Sequence, residues 1–506
     1  MLHHGYLARA TQPPITLDTR RDAIARLRAE TFDVLIIGGG VNGAGLARDL
    51  TLRAHVAQSP LHLALVDQNH FASGTSSRNS HLIHGGLRYL KMLDFHLVRE
   101  ALQERSILLR IAPHLVDPLP FLLPISGFAR ELYYNAGLLL YDAFSKHDRF
   151  PRHRRVSLKE THQLEPGLAP PGMTAAAEYY DAEVRSARLV LENVFEAVAH
   201  GAACANYVEV AAHERDGEMW RIQLRDRISG ESFETRARSI ADATGPWAHD
   251  PKPRLVRGSH IILPRLNASD HAIAYFDESG RIIFFIPWGE RRDRTLIGTT
   301  DVDHDGSPDD VKISPDEIRY LRDTAALVFP SSAAMEPLAT FSSLRPLLAS
   351  HGSATKATRE HRIFFDAQNI LRITGGKFTT YRAMSEEAGD LVAGRAAPAL
   401  RDIHPTAATP LNGNSAEAIA ALRSEAAALA SRFAIDTADV EMLIRQYGLL
   451  TEAVLEKLTP DAPDRLLRAR QRFAIEHEMA QKPADFYEVS TTLAQEGAER
   501  NVPAWI

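Results

Sequence analysis

The stretch that most constrains this chain is residues 31–49, TFDVLIIGGGVNGAGLARD. Residues 32–37 are an apolar run with the length and β-branched content of a buried strand. Gly38, Gly40 and Gly43 follow in G-x-G-x-x-G spacing, and residues 44–52 then read as a helix. A strand, a glycine turn and a helix in that order make a dinucleotide-binding unit. The first glycine permits the tight turn, the second lets the backbone approach a pyrophosphate, and the third lets helix and strand pack closely. The pyrophosphate would rest on unpaired N–H groups at the positive end of the helix. A second strand over 61–66 ends in Asp67, placed to accept hydrogen bonds from an adenosine ribose. Asp67 lies further from the glycines than the usual ~20 residues. The excess is assigned to a loop insertion at 53–60.

A chain of 506 residues predicts two or three domains. Its net charge of −6 argues against nucleic acid as the main partner. Cys204 is the single cysteine, which excludes an intramolecular disulfide and fits a reducing compartment. Its alanine neighbours predict an inert, packed thiol. No segment has the apolar length to span a bilayer, and residues 1–30 lack the apolar centre of a secretion signal. The expected location is the cytoplasm, peripheral on the cytoplasmic face of the inner membrane. Residues 1–14 read as unordered. Residues 17–30, with Arg20, Arg21, Arg26 and Arg28, read as a basic helix packed on the first domain, with anionic lipid as the alternative partner.

Residues 71–92, FASGTSSRNSHLIHGGLRYLKM, combine Ser73, Thr75, Ser76 and Ser77 with the pair Gly85–Gly86. Such a pair lets backbone lie flat against a planar or phosphorylated ligand. A helix is expected over 93–111. Residues 132–144 read as a buried helix, with membrane contact as the weaker reading. Residues 152–171 read as a proline-punctuated excursion and 184–200 as a helix. Residues 205–210, 219–224 and 233–237 alternate like strands. A short strand at 239–243 leads into Thr244 and Gly245. The hairpin-rich runs 258–264 and 272–299 predict an antiparallel sheet. A strand at 371–374 leads through Gly375, Gly376 and Lys377 into a helix from 379 or 380 to 389. Residues 415–499 are helical in pattern.

These stretches together resemble the FAD-dependent glycerol-3-phosphate dehydrogenases, within the D-amino-acid-oxidase-like group. The matching motifs are GGGVNGAG at 38–45, GTSSRNSHLIHGGLRYL at 74–90, ATGPW at 243–247 and RLVRGSHIILPR at 254–265. IFFIPW at 283–288, IGTTDVD at 297–303, LRPLL at 344–348, TREHRI at 358–363 and ITGGKFTTYR at 373–382 also match. They cover about residues 32–387, and the C-terminal part matches more weakly. The resemblance implies an α/β + α fold. A Rossmann-like FAD-binding domain would occupy 31–250 and 341–400, with an excursion near 110–180. An antiparallel substrate domain would occupy 251–340, and a helical domain 401–506.

The resemblance also implies non-covalent FAD, no metal, and oxidation of sn-glycerol 3-phosphate to dihydroxyacetone phosphate with electrons passed to membrane quinone. The implied FAD contacts are Gly38, Gly40, Val41, Asn42, Gly43, Asp67, Thr75, Ser76, Ser77, His81, Leu82, His84, Gly85, Gly86, Val208, Thr244, Gly245, Gly375, Gly376, Lys377, Phe378 and Thr379. Such a reaction needs a dianion anchor, a base and a group stabilising reduced flavin. Arg345, Arg359 and Lys377 are the expected anchor, with Arg88 and Tyr89 lining the same cavity. His260 and His84 are both candidates for the base, since imidazole titrates near working pH. His260, His84, Arg345 and Lys377 form the expected catalytic set. A helix N-terminus near Thr379 would face the charge that develops on reduced flavin.

The chain departs from the family pattern at His81, where relatives carry lysine, and at Arg185 and Ser186, where they carry paired aspartates. The cationic set favours a phosphorylated substrate over an amino acid. Oxygen as acceptor, a related phosphorylated polyol as substrate, and a non-catalytic FAD-binding protein are the alternatives. The oligomeric state is open, with a homodimer among the options.

Overall fold

The computed structural model describes residues 17–87, 94–145, 150–250, 252–348, 360–460, 464–498 and 505. The segment 1–14 therefore lies outside the described residues, as do Arg88, Tyr89 and Arg359.

Two sheets organise the chain. The first has eight strands among the described residues. Its main path runs His361–Phe365, Leu371–Gly375, Ser232–Asp242, Thr31–Ile37, Leu63–Val66, Ala203–Ala205. Thr31–Ile37 sits at its centre, parallel to Ser232–Asp242 on one side and Leu63–Val66 on the other. Val34 and Ile36 face the helices Val41–Ala57, Ser186–Ala199 and Tyr381–Ala396 through Leu46, Leu50, Val190, Val194, Ala388 and Val392. Phe32 and Leu35 serve the opposite core, with Leu27 of the leader helix Leu17–Ala29 and Trp220, Ile222 and Leu224 of the strand Met219–Asp226. A central strand buried on both faces explains the unbroken apolar run in the sequence. Residues 239–243 continue the long strand Ser232–Asp242 rather than forming a separate one.

The expected loop insertion at 53–60 is helical over its first five residues, and only 58–60 are irregular. The helix runs on to Ala57 and ends with Gln58 in the left-handed region. Arg53 is fully buried and pairs with Asp49 at 2.6 Å and with Asp390. A charged residue that reads as an insertion is thus an interior ion-pair partner.

The second sheet has ten strands among the described residues. Its main path is Val302–Asp303, Arg254–Pro264, Arg294–Gly298, Ile282–Trp288, Ala272–Phe276, Val116–Ile125, Ala175–Val184, Leu82–Ile83. Ala339–Leu347 pairs with Arg254–Pro264, and Arg154–Ser157 with Ala175–Val184. The substrate sheet is therefore larger than the span 251–340 predicts, and it is mixed rather than wholly antiparallel, since Ala272–Phe276 pairs parallel with Val116–Ile125. The excursion near 110–180 supplies part of its middle, and residues 341–347 belong to it rather than to the nucleotide sheet. Two compositions hide these strands. Val116–Ile125 contains Pro118, Pro120 and Pro124, which normally demote a strand. All three share one parity, so the donors of the other parity stay intact along its full-length pairing with Ala175–Val184. That partner, AAAEYYDAEV, is alanine-rich and carries little β propensity.

The helix Phe128–Phe144 corrects a second expectation. Only Leu138 and Tyr141 are buried on it. Phe128 is 81% exposed, Leu132 63%, Tyr133 53% and Leu139 63%. Residues 416–490 are helical, and Ile419, Leu443, Tyr447 and Phe473 join the core beneath the nucleotide sheet's helices. Cys204 is buried, and burial pushes its thiol up to about 12. Among the described residues no helix is long and apolar enough to cross a membrane.

Candidate active site

A cavity of about 840 Å³ runs between the two sheets. At one end the strand Thr31–Ile37 turns through Gly38 (φ +102°) into the helix beginning at Val41. Gly40 caps that helix without a side chain. The N–H of Val41 donates to Ser76 Oγ at 3.0 Å, which draws the 71–80 segment over the turn. Gly43 sits where any Cβ would collide with the carbonyl oxygen of Gly38, so its role is the close packing of helix on strand. Asp67, at the end of the second strand, accepts from Gly39 N–H at 2.6 Å and Asn69 N–H at 2.7 Å. Burial still raises its carboxyl to about 6. A side-chain-free helix start beside a buried acid suits the diphosphate and ribose of an adenine dinucleotide.

At the other end the second sheet supplies the chemistry. His260 lies on Arg254–Pro264, opposite Gly298 in register and stacked on Phe341 with ring centroids 4.7 Å apart. Its Nε2 is 2.9 Å from Ser80 Oγ, while Nδ1 is buried without a hydrogen-bond partner among the described residues. Burial, then the nearby Arg345 and His81, hold its pKa well below 6.5, so the ring is neutral at working pH. Arg345 comes from the neighbouring strand Ala339–Leu347. It donates to Thr300 O at 3.1 Å, Asp301 Oδ1 at 2.9 Å and Thr299 Oγ1 at 2.8 Å.

The glycine pair at 85–86 rests on a buried polar group. Gly85 N–H donates to Tyr141 Oη at 2.8 Å, and Tyr141 in turn donates to Asp181 Oδ1 at 2.7 Å. Asp181 is also paired with buried Arg105. His84 N–H reaches Thr379 Oγ1 at 3.3 Å and so ties this segment to the Gly375–Thr379 turn. That turn tightens through Phe378–Thr380 before the helix Tyr381–Ala396.

Of the expected site residues, Gly38, Gly40, Val41, Asn42, Asp67, Thr75, Ser76, Leu82, His84, Gly86, Val208, Thr244, Gly245, Gly375, Gly376, Lys377, Phe378 and Thr379 line this cavity. His260 and Arg345 line it too. Gly43, Ser77, Gly85 and His81 do not. Gly43 packs against Gly38, Ser77 Oγ donates to Gly74 O at 3.3 Å, and Gly85 lies against Leu102 and Tyr141. His81 adopts φ +53° and turns into a second, smaller cavity, where it meets Ser186 Oγ at 2.7 Å and Gln495 Oε1 at 3.1 Å. The two departures at 81 and 186 are thus partners. Several lining residues escape the sequence reading: Tyr179, Asp181, Arg281, Phe284, Thr299 and Asp301. Phe284, Thr299 and Asp301 lie inside the quoted IFFIPW and IGTTDVD motifs, which was the available signal. Tyr179 and Asp181 lie on the strand that composition hides.

The donor set and the shape of this cavity suit an extended flavin dinucleotide. The family described as "FAD dependent oxidoreductase" matches residues 33–391. A glycerol-3-phosphate dehydrogenase from Synechocystis sp. is 36% identical over 92% of this chain and 89% of its own length. A D-erythritol 1-phosphate dehydrogenase from Brucella abortus is 37% identical over 71% of this chain and 72% of its own. The solved glycerol-3-phosphate dehydrogenase from Bacillus halodurans, complexed with FAD, superposes with a TM-score of 0.76. It is 26% identical and covers 94% of this chain and 89% of its own. The chain belongs to the FAD-dependent oxidoreductase family and, within it, to the FAD-dependent glycerol-3-phosphate dehydrogenases.

Proposed function

We propose that the chain oxidises sn-glycerol 3-phosphate to dihydroxyacetone phosphate and passes the electrons to membrane quinone. Bound FAD supplies the hydride acceptor. The observation that carries this reading is the meeting of Arg345, Lys377 and a neutral His260 in one cavity with the glycine turn. Arg345 and Lys377 supply the positive charge that a phosphate dianion requires. Arg88, Tyr89 and Arg359 are assigned to the same anchor on the resemblance alone. His260 is assigned the hydroxyl proton: its Nε2 meets the hydroxyl of Ser80, which lines the same cavity and can donate to the ring while accepting from the substrate. His84 is assigned to the flavin side, where its backbone is tied to Thr379.

Peripheral membrane contact is assigned to the exposed apolar face of Phe128–Phe144 rather than to the basic leader helix. Three leader arginines are already engaged within the chain: Arg20 with Asp226 at 2.9 Å, Arg26 with Glu30 at 3.0 Å and Arg28 with Glu231 at 2.7 Å. The likeness to a D-erythritol 1-phosphate dehydrogenase supports a second reading, oxidation of a longer phosphorylated polyol.

Anaerobic titration of the FAD-loaded protein with sn-glycerol 3-phosphate tests the proposal through flavin absorbance. Full bleaching is expected, and Lys377→Ala should lose it at concentrations that saturate the parent. Bleaching by D-erythritol 1-phosphate alone favours the second reading. Bleaching by neither sinks both. Oxygen consumption matching turnover without a quinone analogue replaces quinone with oxygen as acceptor.

A further inference from the structure

The cavity wall at Gly85 is held from behind. His84 and Gly86 line the large cavity, and Gly85 between them does not. Gly85 N–H turns outward and donates to Tyr141 Oη at 2.8 Å, with Asp181 Oδ1 a second acceptor at 3.3 Å. In a planar trans peptide the N–H and C=O oppose one another, so this bond also sets the direction of the His84 carbonyl. The contact has no slack. A Cβ on Gly85 would stand 2.6 Å from both Tyr141 Oη and Leu102 Cδ2.

Tyr141 can hold this peptide because its own proton is committed. Burial, and then the charge of Asp181, raise its pKa well above the ordinary phenol value, so the hydroxyl stays protonated. Its O–H lies 2.7 Å from Asp181 Oδ1 and 2.9 Å from Oδ2, which leaves the oxygen lone pairs to accept from Gly85. Asp181 reaches the cavity itself. Tyr179 and Asp181, two residues apart on Ala175–Val184, both line it. Burial pushes the Asp181 carboxyl up, and Arg105 and the Tyr141 hydroxyl oppose this. Arg105, 1% exposed on the helix Phe95–Ile111, pairs with Asp181 and also donates to Tyr180 O at 2.9 Å and Ser145 Oγ at 3.1 Å. A carboxylate that receives a guanidinium, a phenol and a backbone N–H is held in its ionised form.

We propose that Tyr141 and Asp181 are positioning residues for the bound flavin: Tyr141 fixes the plane of the Gly85 peptide in the cavity wall, and the Asp181 carboxylate gives that wall a negative charge that disfavours reduced flavin. A peptide already fixed needs no reordering when the cofactor binds. A negative charge in a buried wall opposes the charge that develops on reduction. It lowers the potential and so favours passing the electrons on.

Both roles are read on the FAD-loaded protein without substrate, so the outcome does not depend on which alcohol is oxidised. Tyr141→Phe keeps the ring edge-to-face against Tyr179, at 6.3 Å between centroids, and removes only the hydroxyl. On dilution it should release FAD about tenfold faster by flavin fluorescence, the effect of one buried hydrogen bond. It should also shift the visible absorbance bands of the bound flavin. Asp181→Asn keeps an acceptor and removes the charge. It should favour reduced over oxidised flavin about tenfold, a rise of about 30 mV in the two-electron midpoint potential. Asp181→Ser, smaller and also uncharged, should shift the potential the same way and serves if the asparagine variant does not fold. Unchanged FAD release in Tyr141→Phe would overturn the positioning of the peptide. Faster release without a spectral shift would make the hydroxyl a general stability element and overturn it as well. A midpoint potential that stays or falls when the Asp181 charge is removed would overturn the electrostatic role.

Discussion

Arg345 donates through Nη1 to Asp301 Oδ1 at 2.9 Å, with Asp301 itself only 8% exposed. The same carboxylate lies 3.7 Å from Arg281 Nε through Oδ2. Asp301 therefore fixes the direction of the guanidinium assigned to the substrate phosphate, at the cost of a negative charge nearby. Asp301→Ala should release Arg345 and lower kcat/KM for sn-glycerol 3-phosphate by about 10- to 100-fold, the worth of one charge-assisted hydrogen bond. Asp301→Asn keeps one acceptor and should lose less. Steady-state kinetics with a quinone analogue reads both. An Asp301→Ala enzyme with unchanged kcat/KM would remove Asp301 from the positioning role.

The pH profile tests the assignment of His260. A base must be unprotonated to accept, so activity falls as pH drops through its pKa. Burial and Arg345 hold that pKa well below 6.5. The acid limb of kcat should therefore lie below pH 6.5, and His260→Gln should reduce kcat by about 10²- to 10⁴-fold across the range. A limb at or above 6.5 that survives in His260→Gln would move the base elsewhere.

His81 links acidity to stability. Burial lowers its folded pKa to about 3, from the ordinary imidazole value of 6.5. Between those values the unfolded chain binds the extra proton, so stability rises with pH across this window and is lost as pH falls below 6.5. The slope contributed is about 1.4 kcal/mol per pH unit. His81→Asn should flatten the decline in melting temperature between pH 6.5 and 5. An unchanged slope would mean that other groups govern acid unfolding.

The nucleotide half of the site was legible because each of its requirements leaves a mark in local sequence. Gly38, Gly40, Gly43 and Asp67 sit within one strand–turn–helix–strand unit, and their spacing is dictated by backbone geometry. The substrate half is assembled from partners far apart in the chain. Asp181 supports Gly85 from a strand whose alanines carry little β signal, and Tyr141 reaches both from a helix. Arg53 reads as loop because Asp390, on the helix Tyr381–Ala396, meets it only when helices pack, and its pairing with Asp49 one turn back exists only once the first helix is carried on to Ala57. The His81–Ser186 contact has the same origin: two isolated departures in sequence are one hydrogen bond in space.

The helix Phe128–Phe144 gives the last prediction. Phe128, Leu132, Tyr133 and Leu139 are all more than half exposed on it. Their spacing of four, one and six residues keeps them on one broad face. Each large apolar side chain moved from water into the interfacial region is worth about 1.5–3 kcal/mol. Leu132→Ser combined with Leu139→Ser should thus weaken vesicle binding by at least about 100-fold, while leaving FAD content and anaerobic bleaching unchanged, since neither residue lines the catalytic cavity. Co-sedimentation of the parent and the double variant with phospholipid vesicles reads the difference. Equal sedimentation of the two would assign membrane contact to another surface. Failure of the parent to sediment would remove the membrane from the proposal and leave this face to a protein partner.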